Sequence, residues 1–301
     1  MKKWKIALLI VGLIIIAIGG YACYQYLEVK DTLSKITEEG VIDTPDKEIV
    51  VEPFTLLLLG IDQNEGDKGR SDTIILLSVN PETKTTKMLS IPRDTRTEII
   101  GRGTIEKINH SYAYGGVKMT VDTVENFINV PIDYYATVNM ASFSSIVDTV
   151  GGIEVENDME LKTKTHYFPK GNVKLNGSEA LAFSRIRYED PRGDFGRQTR
   201  QRLVIQAIMA KAKNPKILLN INEVLDIAGD SIKTNMTSSD ITKFPKLYSK
   251  IGSNIEQLQF TKGSGETIDG LWYYVMDDAE VNEISQSLNS NLNSTATSQS
   301  N

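Results

Sequence analysis

The longest uncharged stretch of the chain lies near its N-terminus, between Ile6 and Leu27. At the rise of an α-helix, a run of this length crosses a bilayer core of about 30 Å. Lysines within residues 1–5 precede the run and Glu28 follows it, so the positive-inside bias predicts a cytoplasmic N-terminus and an extracellular remainder at the cell membrane. A cleaved signal peptide and a lipidated Cys23 are the alternatives. We favour a retained single-pass anchor, because the uncharged run continues into an interfacial pair of tyrosines.

Beyond this segment, apolar runs alternate with amphipathic patterns. Residues 28–52 predict a helical extension followed by a linker. Residues 54–61 and 73–79 are nearly continuous apolar runs, typical of strands buried on both faces, and a third strand at 84–91 follows a short turn. The later patterns predict helices at 107–114, 117–129, 141–150, 178–186, 196–213, 215–229 and 238–250, and strands near 134–139, 152–156, 256–260 and 271–276.

This alternation predicts one α/β domain at residues 53–288, a three-layer α-β-α sandwich with a mixed central sheet. Helices on both faces of the sheet would account for strands that lack a polar face. Residues 289–301 are almost all Ser, Asn, Thr and Gln, and we predict a disordered polar tail there.

The composition, 40% hydrophobic and 24% charged with a net charge of -6, excludes disorder as the main state. One cysteine excludes an internal disulfide, and two histidines argue against a His-rich metal site. The acidic balance argues against binding of nucleic acid. Charge is nevertheless segregated, because all ten arginines lie between Arg70 and Arg202, six of them from Arg185 onward. This clustering indicates that the middle of the chain uses arginine guanidinium groups, which are planar and permanently charged, for a specific purpose.

Two aspartates flank the gap between the first two predicted strands. Asp62 ends the first strand, and Asp72 follows Arg70 at the start of the second. A strand end, a polar loop and a return strand bring both carboxylates to one edge of the sheet, where ligands bind in open α/β folds. Two carboxylates there could hold Mg2+, which prefers one or two carboxylates plus phosphate oxygens. The competing interpretation, slightly favoured by spacing alone, is that Asp62 caps a turn and Asp72 pairs with Arg70 at the surface.

A second group closes the third strand, where Pro92 is followed by Arg93 and Asp94. Arg93 would lie near the two aspartates if the three strands are neighbours. Taken alone, the pair is equally consistent with a surface turn. Lys107, predicted at the start of a helix, is a candidate for a further phosphate contact.

The third and strongest group is the arginine-rich segment 185–202. Arg197 and Gln201 fall on the same helical stripe as the apolar Val204 and Ile208, so we expect both to point inward at the helix start. Buried guanidinium groups need an anionic partner, and phosphate fits their bidentate geometry and the helix N-terminus. The alternative is a structural salt-bridge network. In it, Glu189, Asp190 and Asp194 pair with three of the six arginines and leave the other three unpaired.

These segments, in this order behind one N-terminal anchor, resemble the LytR-CpsA-Psr family of Gram-positive cell-wall enzymes. The resemblance is close over residues 54–215, and the run from Leu57 to Arg93 is similar to the teichoic-acid-transferase branch. It implies a polyprenyl-pyrophosphate ligand with its tail in a hydrophobic tunnel and its head group at Mg2+, or Mn2+ in its place, and an arginine cluster. Residue by residue, it implies catalytic roles for Asp62, Asp72 and Arg93, metal binding by Asp62 and Asp72, and pyrophosphate binding by Arg70, Arg93, Lys107, Arg185, Arg187, Arg197 and Gln201.

Together the residues and the resemblance predict an extracellular Mg2+-dependent phosphotransferase. A peptidoglycan hydroxyl, as in the family the C6 hydroxyl of N-acetylmuramic acid, would attack the sugar-side phosphorus of a lipid-linked anionic glycopolymer, and undecaprenyl phosphate would leave. Asp62 or Asp72, in preference to Asp94, would orient or deprotonate the hydroxyl. One alternative is a pyrophosphatase that uses water. The other is a non-catalytic, membrane-anchored glycolipid-binding or regulatory protein, which would not need both Asp62 and Asp72.

Overall fold

The computed structural model describes residues 36–62, 68–211, 232–251 and 254–295. The predicted transmembrane helix 6–27 and the predicted helix 215–229 lie outside these residues. Within them, no helix has the length and apolar character needed to cross a membrane. The described elements in chain order are β1 (Phe54–Asp62), β2 (Arg70–Asn80), β3 (Thr85–Ile91), β4 (Arg96–Ile99), β5 (Thr104–Lys107), α1 (His110–Ile128), β6 (Tyr134–Asn139), α2 (Met140–Thr149), β7 (Ile153–Asn157), β8 (Leu161–Lys162), β9 (Tyr167–Phe168), β10 (Gly171–Leu175), α3 (Gly177–Arg185), α4 (Asp194–Lys211), β11 (Ile232–Thr234), α5 (Ser238–Ile251), β12 (Ile255–Leu258), β13 (Ser264–Ile268), β14 (Leu271–Val275) and α6 (Asp278–Asn293).

A six-stranded sheet in the order β11-β6-β1-β2-β3-β12 forms the centre of the domain. β1, β2 and β3 pair antiparallel, as do β6 and β11, whereas β1 with β6 and β3 with β12 pair parallel. The predicted α/β fold with a mixed central sheet is therefore confirmed.

Both faces of this sheet are covered, as the apolar runs of β1 and β2 predict. Leu57 and Leu76 pack in one buried cluster with apolar residues of α1 and α6. Leu56 and Leu77 face the other way and pack in a second cluster with residues of α5. Adjacent strand residues point to opposite faces, so continuous apolar runs supply both layers.

A third apolar cluster lies outside the sheet and supports the arginine-rich segment. It joins α2, α3 and the second half of α4 to the paired strands β7 and β10, through buried residues that include Val147, Phe183 and Val204. This cluster packs α3 against α4. The arginines from Arg185 to Arg202 lie at the end of α3, in the loop that follows and in the first half of α4.

The predicted linker before Pro53 is wrong over its described part. Ile42, Ile49 and Val50 are buried in the two sheet clusters. Thr37 forms a β-bridge with Thr234, so the predicted helical extension does not include this residue. The apolar residues of this segment are isolated among polar ones, and that pattern is too weak to predict their burial against the sheet. The folded domain therefore begins earlier than residue 53.

The predicted boundary at residue 288 also differs from the structure, because α6 continues to Asn293. Asn291 is buried, and its side-chain amide donates a hydrogen bond of 2.9 Å to the carbonyl of Ser78. In return, the Asn80 amide donates to the carbonyl of Asn291 at 2.7 Å. Polar composition predicted a disordered tail, whereas these amides satisfy buried polar groups of β2.

The segment after Asp94 forms a β4–β5 hairpin, for which the sequence pattern predicted no element, and the predicted helix 107–114 starts later than expected. Lys107 ends β5, and the helix begins at His110. The predicted break between two helices appears as a kink at Gly115 and Gly116, where Gly116 has a φ of 62°. That left-handed conformation suits glycine, which has no Cβ.

Candidate functional site

A β-bulge places Asp72 at the edge of the sheet. The β1–β2 register shifts so that Gly60 lies opposite Thr73 and Ile61 opposite Ser71, which leaves Asp72 as the extra residue. A Cβ on Gly60 would lie 2.9 Å from the Thr73 Cβ, so this close crossing needs glycine. Asp62 ends β1 at the same edge, and the structure thus places both predicted aspartates there.

Arg93 and Asn109 hold the Asp72 carboxylate from two sides. Arg93 Nη1 donates to Asp72 Oδ2, and Asn109 Nδ2 donates to Oδ1 at 3.1 Å. Burial acts to lower the pKa of Arg93, but the charges of Asp72, Asp94 and Asp194 raise it above its usual value. The guanidinium is thus a fixed positive charge within the sheet edge, not part of a surface turn.

Asp94 is the partner of Lys107. Its Oδ1 accepts a hydrogen bond from Lys107 Nζ at 2.7 Å, and its Oδ2 lies 3.7 Å from Arg93 Nε. Both oxygens of this largely buried carboxylate therefore face cations. Lys107, a predicted phosphate contact, lies beside the site with Asp94 as its counter-ion.

Arg197 projects into the same region from the first turns of α4. It is only 8% exposed, and its Nη2 lies 2.5 Å from Asp194 Oδ1. Burial lowers the pKa of Arg197; Asp194 raises it, whereas the positive charges of Arg93 and Arg187 lower it further. The guanidinium groups of Arg93 and Arg187 are therefore close enough to act on Arg197, and an anion beside Arg197 would be favoured.

The neighbouring arginines serve a structural role. Arg200 is 1% exposed; its Nη1 donates to Asp190 and its Nε donates to the carbonyl of Phe183 at 3.0 Å. Arg192 binds the same carboxylate through Nε at 3.0 Å. Arg202 is also buried and donates to the side chain of Gln257 at 3.1 Å. Arg192 and Arg200 therefore pair with Asp190, and Arg197 pairs with Asp194, as the salt-bridge alternative expected for three arginines. Arg202 anchors α4 to β12 through an amide instead.

The remaining predicted cations are more open. Arg185 Nη2 lies 3.6 Å from Asp62 Oδ1, and both side chains are about half exposed. Neither Arg70 nor Arg187 has a carboxylate within 4.0 Å among the described residues. Arg70 therefore does not pair with Asp72, as the surface alternative required. These cations can take an anionic ligand without first releasing a tight internal partner.

An apolar cavity of about 210 Å³ opens beside these cations. It lies between the sheet and helices α2, α3 and α4. Arg185 and Gln201 belong to its lining. Gln201 therefore points inward, as predicted, and lies where the polar site meets the apolar cavity. The other residues around it are Leu58, Leu59, Gly60, Thr73, Val138, Asn139, Phe143, Ile146, Ser184, Ile205, Ile208 and Met209.

Several buried polar atoms at the site have no hydrogen-bond partner among the described residues, namely Arg93 Nε, Arg197 Nε and Asn109 Oδ1. Such atoms are rare in folded proteins and often face a ligand or ion. Asp62, Asp72 and the Asn109 amide oxygen are hard oxygen donors, the type of ligand that Mg2+ prefers. Within the described part of the chain there is no cluster of three or more His, Cys, Asp or Glu side chains that could hold a metal alone.

Sequence reasoning did not assign a role to Asn109, and it named Asp194 only as a partner in the alternative salt-bridge network. Asn109 lies two residues after Lys107, and Asp194 lies three residues before Arg197. The i,i+3 spacing of Asp194 and Arg197 on a helix was the available signal for that pair. For Asn109 we find no local signal, because its contact with Asp72 crosses 37 residues.

A sheet edge that gathers several guanidinium groups beside an apolar cavity is the arrangement expected of a protein that binds an anionic head group with an apolar tail. A family model described as the LytR_cpsA_psr family matches residues 23–290. The chain therefore belongs to the LytR-CpsA-Psr family, and it is a transferase.

Named relatives cover nearly the whole chain. The polyisoprenyl-teichoic acid–peptidoglycan teichoic acid transferase TagU of Bacillus subtilis strain 168 is 45% identical over 97% of both chains. The protein of the same name from Bacillus cereus strain ATCC 14579 is 45% identical over 94% of this chain and 95% of its own.

Solved structures are similar to the fold. The crystal structure of B. subtilis TagU is 45% identical, with a TM-score of 0.68, and the match covers 81% of this chain and 98% of that chain. A structure of TagT bound to LIIa-WTA is 31% identical, with a TM-score of 0.70 over 84% of this chain and 95% of that chain.

Proposed function

We propose that the protein transfers an anionic glycopolymer, wall teichoic acid or a polymer like it, from an undecaprenyl-pyrophosphate carrier to peptidoglycan. The observation that carries this proposal is the shared position of Arg185 and Gln201, which belong both to the cationic edge and to the lining of the apolar cavity. A pyrophosphate held at the edge would direct its lipid tail into the cavity. The names of the TagU relatives supply the donor and acceptor classes.

The reaction forms one phosphorus–oxygen bond and breaks another. The C6 hydroxyl of N-acetylmuramic acid attacks the sugar-side phosphorus, the bond to the bridging oxygen breaks, and its electron pair leaves with undecaprenyl phosphate. A carboxylate oxygen of Asp62 or Asp72 accepts the hydroxyl proton. Catalysis rests on positioning and on neutralisation of charge, as in other phosphoryl transfers.

Each cation of the edge has its own part in this scheme. Arg93 and Arg187 both act on the pKa of Arg197, so we assign these three cations to the pyrophosphate oxygens. Arg70 and Arg185 lie on the open side and bind the same group, while Lys107 contributes charge next to Asp94. Mg2+, or Mn2+ in its place, would be held by Asp62 and Asp72 and would neutralise further negative charge on the phosphates.

The predicted anchor at residues 6–27 completes the proposal. A single-pass helix with a cytoplasmic N-terminus would put the domain outside the cell, next to peptidoglycan. It would also keep the cavity close to the membrane that holds the lipid carrier.

The test incubates the purified full-length protein with lipid-linked polymer and peptidoglycan oligomers, with Mg2+ or with EDTA. We expect a covalent polymer–peptidoglycan adduct, and a loss of about 10²- to 10³-fold in Asp72→Asn and Arg93→Ala, because each removes a group that acts on the reacting phosphate. Lys174→Ala is the control, because Lys174 is an exposed cation paired only with Glu154 at 3.4 Å among the described residues. It should retain full activity.

Three results would contradict the proposal. Release of free polymer phosphate without peptidoglycan would identify a pyrophosphatase. Tight donor binding with no product of either kind would identify a non-catalytic binding protein. Equal adduct formation by Asp72→Asn and wild type would remove the sheet edge from the mechanism.

A further inference from the structure

The β13–β14 hairpin carries an exposed tryptophan beside the site, and the scheme above does not use it. Trp272 is 43% exposed and its neighbour Leu271 is 55% exposed. The hairpin is fixed to the Pro-Arg-Asp turn, because the backbone N–H of Tyr274 donates to the carbonyl of Asp94 at 2.9 Å. Thr95 and Tyr274 also form a β-bridge. The exposed indole therefore has a defined position relative to Arg93.

Two aromatic side chains of this hairpin lie close to the backbone of glycine residues. A Cβ at Gly265 would lie 3.0 to 3.2 Å from three atoms of the Trp272 indole, and one at Gly263 would lie 2.5 Å from the Tyr274 ring. The rings thus lie directly against the backbone of the facing strand. An exposed side chain held in this way has lost its freedom before any partner binds, and such preorganisation increases affinity.

A cation lies beside the indole. Lys107 Nζ lies 5.9 Å from the centre of the Trp272 ring and donates a hydrogen bond of 2.7 Å to Asp94. The surface therefore suits a partner with a flat apolar face and carboxylates nearby. A pyranose ring of peptidoglycan offers such a face through its C–H groups, and its lactyl and peptide substituents carry carboxylates.

Helix α4 shows that this surface and the cavity lie on opposite sides of the arginine cluster. Gln201, Ile205 and Met209 line the cavity, whereas Phe195 in the first turn packs on Tyr274 with ring centres 5.4 Å apart. At 1.5 Å per residue, Phe195 and Ile205 are separated by about 15 Å along the helix. Arg197 lies between them.

In phosphoryl transfer the attacking and leaving oxygens lie roughly in line. If the lipid phosphate leaves on the cavity side, the nucleophile must approach from the hairpin side. We infer that Trp272 is the stacking platform for an amino-sugar ring of the peptidoglycan acceptor, and that Lys107 faces an acceptor carboxylate. This inference rests on the proposed function and specifies which side of the site each substrate occupies.

The first experiment compares steady-state kinetics of the full-length protein. Trp272→Ala should raise the KM for peptidoglycan oligomers about tenfold, in the range seen when a central tryptophan contact is truncated, and should leave the donor KM unchanged. Trp272→Phe keeps an aromatic face and should recover most of the loss. Tyr167→Ala is the matched control, because Tyr167 is a 56% exposed aromatic residue of the short β8–β9 hairpin. A rise in the donor KM, or no change in either KM, would overturn the inference.

The second experiment measures binding without turnover. The chain has two tryptophans, so Trp4→Phe leaves Trp272 as the single reporter of indole fluorescence. Peptidoglycan glycan oligomers should change this fluorescence with a saturable dose response, and absence of a response would overturn the inference. If the response is present while wild type forms no adduct, the proposed function fails and the docking surface stands, so the two failures are distinguishable.

Discussion

Replacement of Asp190 tests the structural half of the arginine cluster. This buried carboxylate accepts hydrogen bonds from Arg200 and Arg192, and Arg192 also reaches Asp158. Arg200 further donates to the carbonyls of Phe183 and of the residue that follows α3. Asp190 therefore connects α3 to α4, which carries Arg197.

The magnitude follows from the pKa of Asp190. Burial acts to raise this pKa, but hydrogen bonds from Arg192 and Arg200 lower it from 3.8 to about 2. Because the folded value is the lower one, the stabilisation is complete above about pH 4 to 5 and is lost as the pH falls towards 2. The difference corresponds to about 2.5 kcal/mol at neutral pH. Asp190→Asn removes the charge and replaces one acceptor oxygen by an NH2 donor, and it should cost about 2–3 kcal/mol. Asp190→Ala also leaves Arg200 without a partner side chain and should cost about 3–5 kcal/mol.

The assay is urea unfolding of the purified protein at about pH 7 and about pH 3, with both variants and wild type. Asp158→Asn is the control, because Asp158 binds the same Arg192 but is 54% exposed, and exposed pairs contribute about 0–1 kcal/mol. Wild type should lose more stability than Asp190→Asn on acidification. The reasoning is refuted if Asp190→Asn and Asp158→Asn have equal effects at neutral pH, or if the two acid responses are the same.

Three further changes test the sheet edge, the C-terminal helix and the cavity. Gly60→Ala brings a methyl group against Thr73 at the bulge and should lower stability by about 1–3 kcal/mol, together with transferase activity, as seen by thermal unfolding and adduct assays. Asn291→Ala removes a donor from buried carbonyls and should cost about 1–3 kcal/mol in urea unfolding, whereas the exposed Asn293→Ala should cost less than about 0.5 kcal/mol. Ile146→Trp fills the apolar cavity and should raise the KM for a long-chain lipid donor more than for a short-chain one; equal changes would exclude the cavity as the tail site.

The central strands could be predicted because their signal is local. β1 and β2 are long apolar runs bounded by polar loops, and burial on both faces of a sheet is the common origin of such runs. β8 and β9 have two residues each and depend on contacts with each other. The β4–β5 hairpin, likewise, has no apolar run that distinguishes it from a helix start. Its formation places Lys107 beside Asp94, a contact that local pattern does not contain.

The roles of single residues in the arginine cluster also could not be predicted from local sequence pattern. Arg197 and Arg200 lie on one helix, three residues apart, and helical periodicity predicts only that Arg197 faces inward. Their roles differ because Arg200 meets Asp190 from the preceding loop, whereas Arg197 meets Arg93 and Arg187. The same applies to Asp72, because the bulge that frees it depends on the register of two strands. Residue type and spacing thus predicted the kind of site, and tertiary contacts decided which residues form it.

The structural and the site-facing arginines are physically coupled. Burial and the like charges of Arg93 and Arg187 lower the pKa of Arg197, so the folded protein holds this one guanidinium in an unfavourable position. The Asp190 network one turn away on α4 offsets this repulsion by fixing the helix to α3. A pyrophosphate would supply the missing negative charge, and a ligand that binds only the folded state stabilises it. Loss of the Asp190 anchor should therefore weaken the anion site even though Asp190 makes no contact with the ligand in the proposed arrangement.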